Sequence, residues 1–214
     1  QKDKLAYALT QTQPIVQHLE AYFDRAFPFS KLDQIASPIM GGAMENAGAV
    51  IYDDTLLLLD DASPVRAKQA FGMVTSHELA HQWFGQAVGW KNYHEQWLSE
   101  GFAQYLAALF ARERRGEPAF RDILKQFRRW GIDQSSEGPI FLGYRLGHIK
   151  GESRIFRALV YNKGAIVLHM LRRLVGDDAF FKGVQRYYRE HRFTKAGTAD
   201  LQKAMELESG RDLA

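Results

Sequence analysis

Two histidines and a glutamate lie within five consecutive residues near the middle of the chain: His77, Glu78 and His81. In an α-helix of 3.6 residues per turn, positions four apart share one face, so both imidazole rings can reach the same ion. Neutral imidazole nitrogens are common zinc ligands, and the intervening carboxylate can act as general base toward water at the site. The segment therefore predicts a catalytic zinc centre on a helix.

A catalytic zinc site usually takes a third protein ligand and leaves its fourth position to solvent. Glu100 follows His81 after a gap of eighteen residues. That gap can end one helix, turn through residues 85–90 and start a second helix that runs back past the metal. A match to His-Glu-x-x-His with this later glutamate arises by chance in roughly one chain in a thousand. The pattern predicts one zinc ion held by His77, His81 and Glu100.

The composition is that of an ordinary globular chain, with 46% apolar residues, 25% charged residues and a net charge of +3 over 214 residues. The sequence has no run of five or six basic residues, so it does not indicate nucleic-acid binding. No apolar run approaches the roughly 20 residues that a membrane span needs. The chain has no cysteine, so a metal here must be held by nitrogen and oxygen, and neither redox compartment nor localisation is indicated.

The hydrophobic pattern predicts a leading helix, a few strands and then a series of helices. A strand is expected over residues 32–39, with further extended structure over 49–52 and 55–59. Ser63 and Pro64 form a helix start signal. Helices are expected over residues 3–27, 65–86, 95–115, 117–130, 153–175, 177–191 and 198–208, with a glycine-rich loop over 131–151. The fold class is therefore α+β, with a mainly strand lobe and its leading helix over 1–62, a mostly helical lobe over 63–214, and a cleft between them.

Four motifs occur in a fixed order: Gly42-Ala43-Met44-Glu45-Asn46, His77-Glu78-x-x-His81, Glu100-Gly101-Phe102-Ala103 and Tyr161-x-Lys163-Gly164. Together they resemble the alanyl aminopeptidase family of gluzincin metallopeptidases. The resemblance implies a thermolysin-like catalytic domain that hydrolyses the amino-terminal peptide bond of peptides. Full-length members also carry a β-rich amino-terminal domain and a helical carboxy-terminal domain, so we expect this chain to be a fragment of a longer multidomain protein. Two departures from the commonest pattern, at Ser99 and at residues 94–96, are not expected to touch a metal ligand.

The resemblance also assigns a role to each motif. Glu78 is the expected catalytic base, and Tyr161 the expected donor to the oxyanion of the tetrahedral intermediate. Glu45 is expected to pair with the free α-amino group of the peptide, so that only its first peptide bond reaches the metal. The neighbouring residues Gly42, Ala43, Met44 and Asn46 are expected to bind the substrate, partly through backbone groups, as an added strand would.

Other functions stay open at this stage. A non-catalytic interaction module could share this fold, although such a relative would be expected to lose ligands or the base. An endopeptidase of the thermolysin type would not need the segment around Glu45. A related hydrolase acting on a lipid epoxide shares the same motifs.

Overall fold

A computed structural model describes residues 4–142 and 153–214, and helices dominate this part of the chain. In chain order the helices are α1 (Leu5–Phe23), α2 (Asp54–Leu57), α3 (Val65–Ala80), α4 (Gln96–Arg115), α5 (Glu117–Asp133), α6 (Ser153–Phe156), α7 (Gly164–Val175), α8 (Asp177–His191) and α9 (Thr198–Ser209). A π-helical segment, Arg157–Lys163, joins α6 to α7, and short 3₁₀ turns occupy Tyr93–Glu95, Ser135–Glu137 and Ile140–Leu142. No helix within these residues is both long and apolar enough to cross a membrane.

The strands form one small mixed sheet and one separate pair. The strands β1 (Asp33–Ser37), β2 (Ala43–Met44) and β3 (Ala49–Asp53) lie in the order β1-β3-β2, with β1 parallel and β2 antiparallel to β3. Two further strands, β4 (Val88–Trp90) and β5 (Thr194–Ala196), pair in parallel. The first sheet leaves β2 at an edge, and the β4–β5 pair ties the chain after α3 to the segment that precedes α9.

The core lies where α3 and α4 pack together. The last two turns of α3 are buried, and burial extends along α4 from Trp97 to Ala111 with few interruptions. Aromatic side chains surround this pair of helices, with Phe84 stacked on Phe102 at a centroid distance of 4.2 Å. Apolar burial stabilises such a helix pair by about 25 cal/mol per Å², and close packing gives its polar side chains fixed positions.

The predicted α+β class and the small strand lobe beside the helices are confirmed. The extended structure expected over residues 55–59 is wrong, because Asp54–Leu57 form the short helix α2. Its start is stabilised by Asp53, whose carboxylate accepts a hydrogen bond from the Thr55 amide at 2.9 Å. A short apolar run such as this one fits a strand and a helix equally well, and the capping carboxylate decides between them.

Several helix boundaries also differ from those expected. The leading helix ends at Phe23 and not at residue 27. Ser63 does not cap α3, because its hydroxyl bonds to Asp60 and Pro64 occupies the cap position without a side-chain bond. The helix that was expected to reach residue 86 ends at Ala80, where the chain enters turns. Helix α5 extends past the expected end to Asp133, and the last part of the glycine-rich loop, residues 143–151, lies outside the described residues.

Candidate metal centre and substrate cleft

The end of α3 and the first turn of α4 bring three potential metal ligands together. The Nε2 atoms of His77 and His81 lie 3.1 Å apart, and they lie 3.2 and 3.1 Å from Oε2 of Glu100. Glu100 belongs to α4, the helix that packs against α3. All three side chains are buried at this point of the core.

These separations fit a bound metal cation. Four tetrahedral ligands that each lie about 2.0–2.1 Å from zinc are about 3.3 Å from one another, close to the three distances found here. The donor set of two imidazole nitrogens and one carboxylate oxygen is also one that zinc accepts. The three groups can thus form one face of a tetrahedral site, and all three line the cleft.

The electrostatics of this group favour a cation. Burial alone would lower the pKa of His81, but the Glu100 carboxylate raises it to about 9. Burial would likewise raise the pKa of Glu100, but the two histidines hold it well below its usual range. The lone pairs of these imidazole and carboxylate groups attract a proton strongly, and they attract a metal cation for the same electrostatic reason.

Hydrogen bonds to Nδ1, the ring nitrogen that points away from Glu100, fix the tautomer of His81. Its Nδ1 lies 2.9 Å from the Ser99 hydroxyl and 3.1 Å from the carbonyl oxygen of Phe84. A carbonyl oxygen only accepts, so Nδ1 carries a proton. When the ring is neutral, as a metal ligand must be, its lone pair is therefore on Nε2, which faces Glu100 and His77. The expectation that the departure at Ser99 touches no ligand is therefore wrong. By contrast, Nδ1 of His77 is buried without a hydrogen-bond partner among the described residues.

Two further carboxylates face the same point. Oxygen atoms of Glu45 and Glu78 and a ring nitrogen of His81 all lie within 4.8 Å of one another. Burial raises the pKa of Glu78, and the carboxylates of Glu45 and Glu100 add to that effect while the two histidines oppose it. The raised pKa gives Glu78 more affinity for a proton than an exposed carboxylate has.

Tyr161 lies beside His77, within the π-helical segment. Its ring is parallel to that of His77, with an interplanar angle of 1° and centroids 5.6 Å apart. Burial raises the pKa of the Tyr161 phenol, and the carboxylates of Glu100, Glu45 and Glu78 raise it further. The hydroxyl is therefore protonated, and able to donate a hydrogen bond, throughout the neutral range. π-Helical turns are uncommon and frequently occur at functional sites.

Two glycines allow this wall to approach α4. A Cβ added to Gly101 would lie only 3.0 Å from the carbonyl carbon of Gly164 and 3.1 Å from its Cα. The backbones of α4 and of the segment that follows Tyr161 are thus in direct contact, one residue after Glu100 and three after Tyr161. This contact explains how the tyrosine comes to lie beside the ligand group.

The cleft in front of the ligand group has a volume of about 680 Å³. It extends from the edge strand β2 to α5, and it is lined by His77, Glu78, His81, Glu100 and Tyr161. Asn46, which was expected to bind the substrate, does not line it. Its outer wall is mostly polar and aromatic, with Gln104, Gln126, Trp130 and Arg157. Gly42, Ala43, Met44 and Glu45 line one side of it.

Comparison with known proteins identifies the family to which this chain belongs. The model of the Peptidase family M1 domain matches residues 7–214, nearly the whole chain. The chain belongs to peptidase family M1. This M1 domain is 31% identical to the probable aminopeptidase 2 of Sulfurisphaera tokodaii and 32% identical to the aminopeptidase N of Lactococcus lactis, with 97% of the chain covered in both. It is 38% identical to the aminopeptidase N of Streptomyces lividans over 89% of the chain.

The M1 domain described here spans about a quarter of the length of those relatives, 27%, 25% and 23% respectively. The membership expected from the four motifs is confirmed. The fold that carries them is the α+β arrangement expected for the family.

The structure also places groups at this site that the motifs do not include. Ser99 contacts His81 from behind, and Gln82 bonds to the segment that carries Glu45. Each residue is adjacent in the chain to a predicted ligand, and this adjacency is the only feature of the sequence that indicates a role at the site. Both are fully or nearly fully buried, and buried polar side chains in a core require partners.

Proposed function

We propose that this chain is the catalytic domain of a zinc-dependent aminopeptidase, which removes the amino-terminal residue from peptides. The observation that carries the proposal is the position of Glu45. Its carboxylate lies within 4.8 Å of groups on Glu78 and His81, so a peptide amine paired with it has its first carbonyl next to the ligand group. Peptides with a free amino terminus are the proposed substrates.

We assign zinc to the group formed by His77, His81 and Glu100, one ion per chain. When bound there, zinc would act as a Lewis acid toward the scissile carbonyl and toward water. Ser99 and the Phe84 carbonyl hold His81 in the tautomer that presents Nε2 to the ion. The buried position of the three ligands keeps them preorganised before the substrate arrives.

Glu78 moves the proton in this mechanism. Its carboxylate takes a proton from the attacking water and then delivers it to the nitrogen of the leaving amine, so that the amine departs neutral. Its burial suits both steps, because a carboxylate with a raised pKa accepts the proton more readily and holds it until the peptide bond breaks. General acid–base catalysis of this kind typically contributes a factor of about 10²–10⁴ in rate.

Tyr161 stabilises the negative oxygen that develops when water adds to the carbonyl carbon. Its phenol stays protonated in the neutral range, so it can donate a hydrogen bond to that oxygen. The parallel packing against His77 fixes the direction of the ring. A donor that is positioned before the reaction needs no reorganisation while the charge develops.

The edge strand β2 and Glu45 set the direction and register of the peptide. In the antiparallel pairing of β2 with β3, Gly42 accepts a hydrogen bond from the Asp53 amide at 2.7 Å, while Ala43 lies opposite Tyr52. This alternation leaves the N–H and carbonyl of Ala43 directed away from β3, where an extended peptide can pair with them. The cationic amine then meets Glu45 and cannot move past it.

The proposal is tested by metal content and by turnover of unblocked and acetyl-blocked amino-acid anilides. We expect one zinc per chain and a kcat/KM for the unblocked compounds that is far above that for the blocked ones. Glu78→Gln should keep the zinc and lose at least about a hundredfold in kcat. Equal cleavage of the blocked compounds would contradict the role of Glu45 and favour an endopeptidase. A chain that binds no zinc would instead favour the non-catalytic module, and turnover of an epoxide but no anilide would favour the epoxide hydrolase.

A further inference from the structure

Gln82 is fully buried directly after His81, and its carboxamide is bonded on both sides to one short loop. The loop comprises residues 45–48, between β2 and β3. Oε1 of Gln82 accepts a hydrogen bond from the Gly48 amide at 2.8 Å. Nε2 donates to the carbonyl oxygens of Glu45 and Asn46 at 3.1 and 3.4 Å.

The loop has few other fixed points. The Ala49 amide donates to the Asn46 carbonyl at 2.9 Å, which closes a turn, and the Asp33 amide donates to the Gly48 carbonyl at 2.9 Å. Gly48 has a φ of +65°, a conformation that other residues adopt with strain. The loop is therefore folded on itself, and the bonds from Gln82 attach it to the end of α3.

The consequence concerns Glu45. We propose that Gln82 is a positioning residue that fixes the distance between the amine-binding carboxylate of Glu45 and the metal centre, and so sets cleavage after the first residue. Gln82 directly follows His81 in the chain. The proposed ligand His81 and the loop that carries Glu45 are therefore connected through the Gln82 side chain. This inference rests on the proposed function, because it requires Glu45 to bind the substrate amine.

The chemistry of the amide suits the role better than that of other side chains. The loop presents one N–H and two carbonyl oxygens to the same point, and only a group with both an acceptor and two donors matches that pattern. In Gln82→Glu the acceptor for Gly48 is kept, but an oxygen faces the two carbonyl oxygens. In Gln82→Met the side chain has a similar length and none of the hydrogen bonds. Each lost neutral hydrogen bond corresponds to roughly a two- to tenfold change in an equilibrium.

The test uses both variants in the longest natural form of the protein, loaded with zinc. The matched control is Gln69→Met, because Gln69 is an exposed glutamine in α3, the helix that precedes Gln82. Leucine anilide and its acetyl-blocked form are compared by kcat and KM. We expect KM for the unblocked compound to rise at least about tenfold in both variants, with a smaller change in kcat. The ratio of kcat/KM for the unblocked over the blocked compound should fall by a similar factor, with zinc content unchanged.

Hydrogen exchange gives a second measurement that does not depend on turnover. Amides of residues 45–48 should exchange faster in Gln82→Met, while those of α4 stay protected. A ratio within twofold of wild type, or unchanged exchange in the loop, would overturn the inference and leave the proposed function standing. Loss of zinc, or faster exchange throughout α3 and α4, would also overturn it, since Gln82 would then be needed for the core. If wild type itself cuts both compounds equally, the proposed function fails first.

Discussion

The hydroxyl of Ser99 lies 2.9 Å from Nδ1 of His81 and 3.0 Å from the carbonyl oxygen of Phe84. The imidazole can donate to the hydroxyl while the hydroxyl donates to the carbonyl, so the contacts form a chain that ends at a buried backbone group. Ser99 immediately precedes Glu100, and one turn of α4 thus supplies both a proposed ligand and the partner of another proposed ligand. There is no room for a larger residue at Gly85, where an added Cβ would lie 2.4 Å from the Ser99 hydroxyl.

Ser99→Ala should weaken zinc binding and leave the fold intact. The substitution removes one of the two partners of Nδ1 and leaves the Phe84 carbonyl in place. Because partners of ligating histidines typically contribute 10–100-fold to metal affinity, we expect a loss near tenfold. Competition with a zinc chelator at constant pH measures it, and Ser136→Ala, in a 3₁₀ turn away from the site, is the control. An unchanged affinity would show that the Phe84 carbonyl alone holds the ring.

Tyr161→Phe should lower kcat and leave KM and zinc content almost unchanged. The variant keeps the ring that is parallel to His77 and loses only the hydroxyl. Removal of one oxyanion donor typically costs about 10²–10³ in kcat, and we expect a loss in that range. Steady-state kinetics on an unblocked anilide measures the change. A rise in KM with kcat preserved would instead assign the phenol to ground-state binding.

The proximity of His77, His81 and Glu100 was predictable because it depends on regular geometry. His77 and His81 lie four residues apart in a helix, and Glu100 follows on the next helix after a gap long enough to reverse direction. The position of Glu45 was expected from the family resemblance alone, since nothing in the spacing of residues 42–46 locates a loop in space. The contacts of Gln82 could not be predicted, because they depend on how that loop folds onto the end of α3.

The boundary errors have related physical causes. Asp53 caps α2 through its side chain, and Ser63 bonds to Asp60 instead of capping α3. In each case a polar side chain can form a hydrogen bond with any of several backbone or side-chain groups nearby in the sequence. These hydrogen bonds have similar strength, so the sequence does not show which one forms. Helix α3 ends at Ala80 although its sequence continues apolar, because the chain turns there to place Trp83 and Phe84 in the core.

Gly101→Ala should separate α4 from the wall that carries Tyr161. The added Cβ would lie 3.0 Å from a backbone carbon of Gly164, which cannot move as a flexible side chain can. Overpacking of this kind typically costs about 1–3 kcal/mol in the free energy of unfolding, and displacement of Tyr161 should lower kcat as well. Urea unfolding and kinetics measure the two effects.

The matched control for that substitution is Gly72→Ala, within α3. A Cβ at Gly72 would meet nothing within 4 Å, so the change should be neutral or stabilise the helix by up to about 1 kcal/mol. Equal effects of the two substitutions on stability and on kcat would contradict the importance of the contact between Gly101 and Gly164.

Asp200→Ala should destabilise the fold at neutral pH and have little effect in acid. Burial alone would raise the pKa of Asp200, but hydrogen bonds from Lys91 and from the Gly197 amide, the latter at 2.8 Å, hold it below its usual value. The unfolded chain therefore binds a proton more readily than the folded one. The stabilisation is present above the unfolded pKa of about 3.9 and is lost as pH falls through the lower, folded value.

We expect the variant to lose about 1 kcal/mol in the free energy of unfolding at pH 7, as for other helix caps, and the difference from wild type to shrink steadily below about pH 4. Urea unfolding of both proteins across this range measures the difference. Asp133→Ala, at an exposed position at the end of α5, serves as control and should change stability by less than about 0.5 kcal/mol. A difference that stayed constant from pH 7 to pH 3 would mean that Asp200 stabilises α9 by packing and not by its charge.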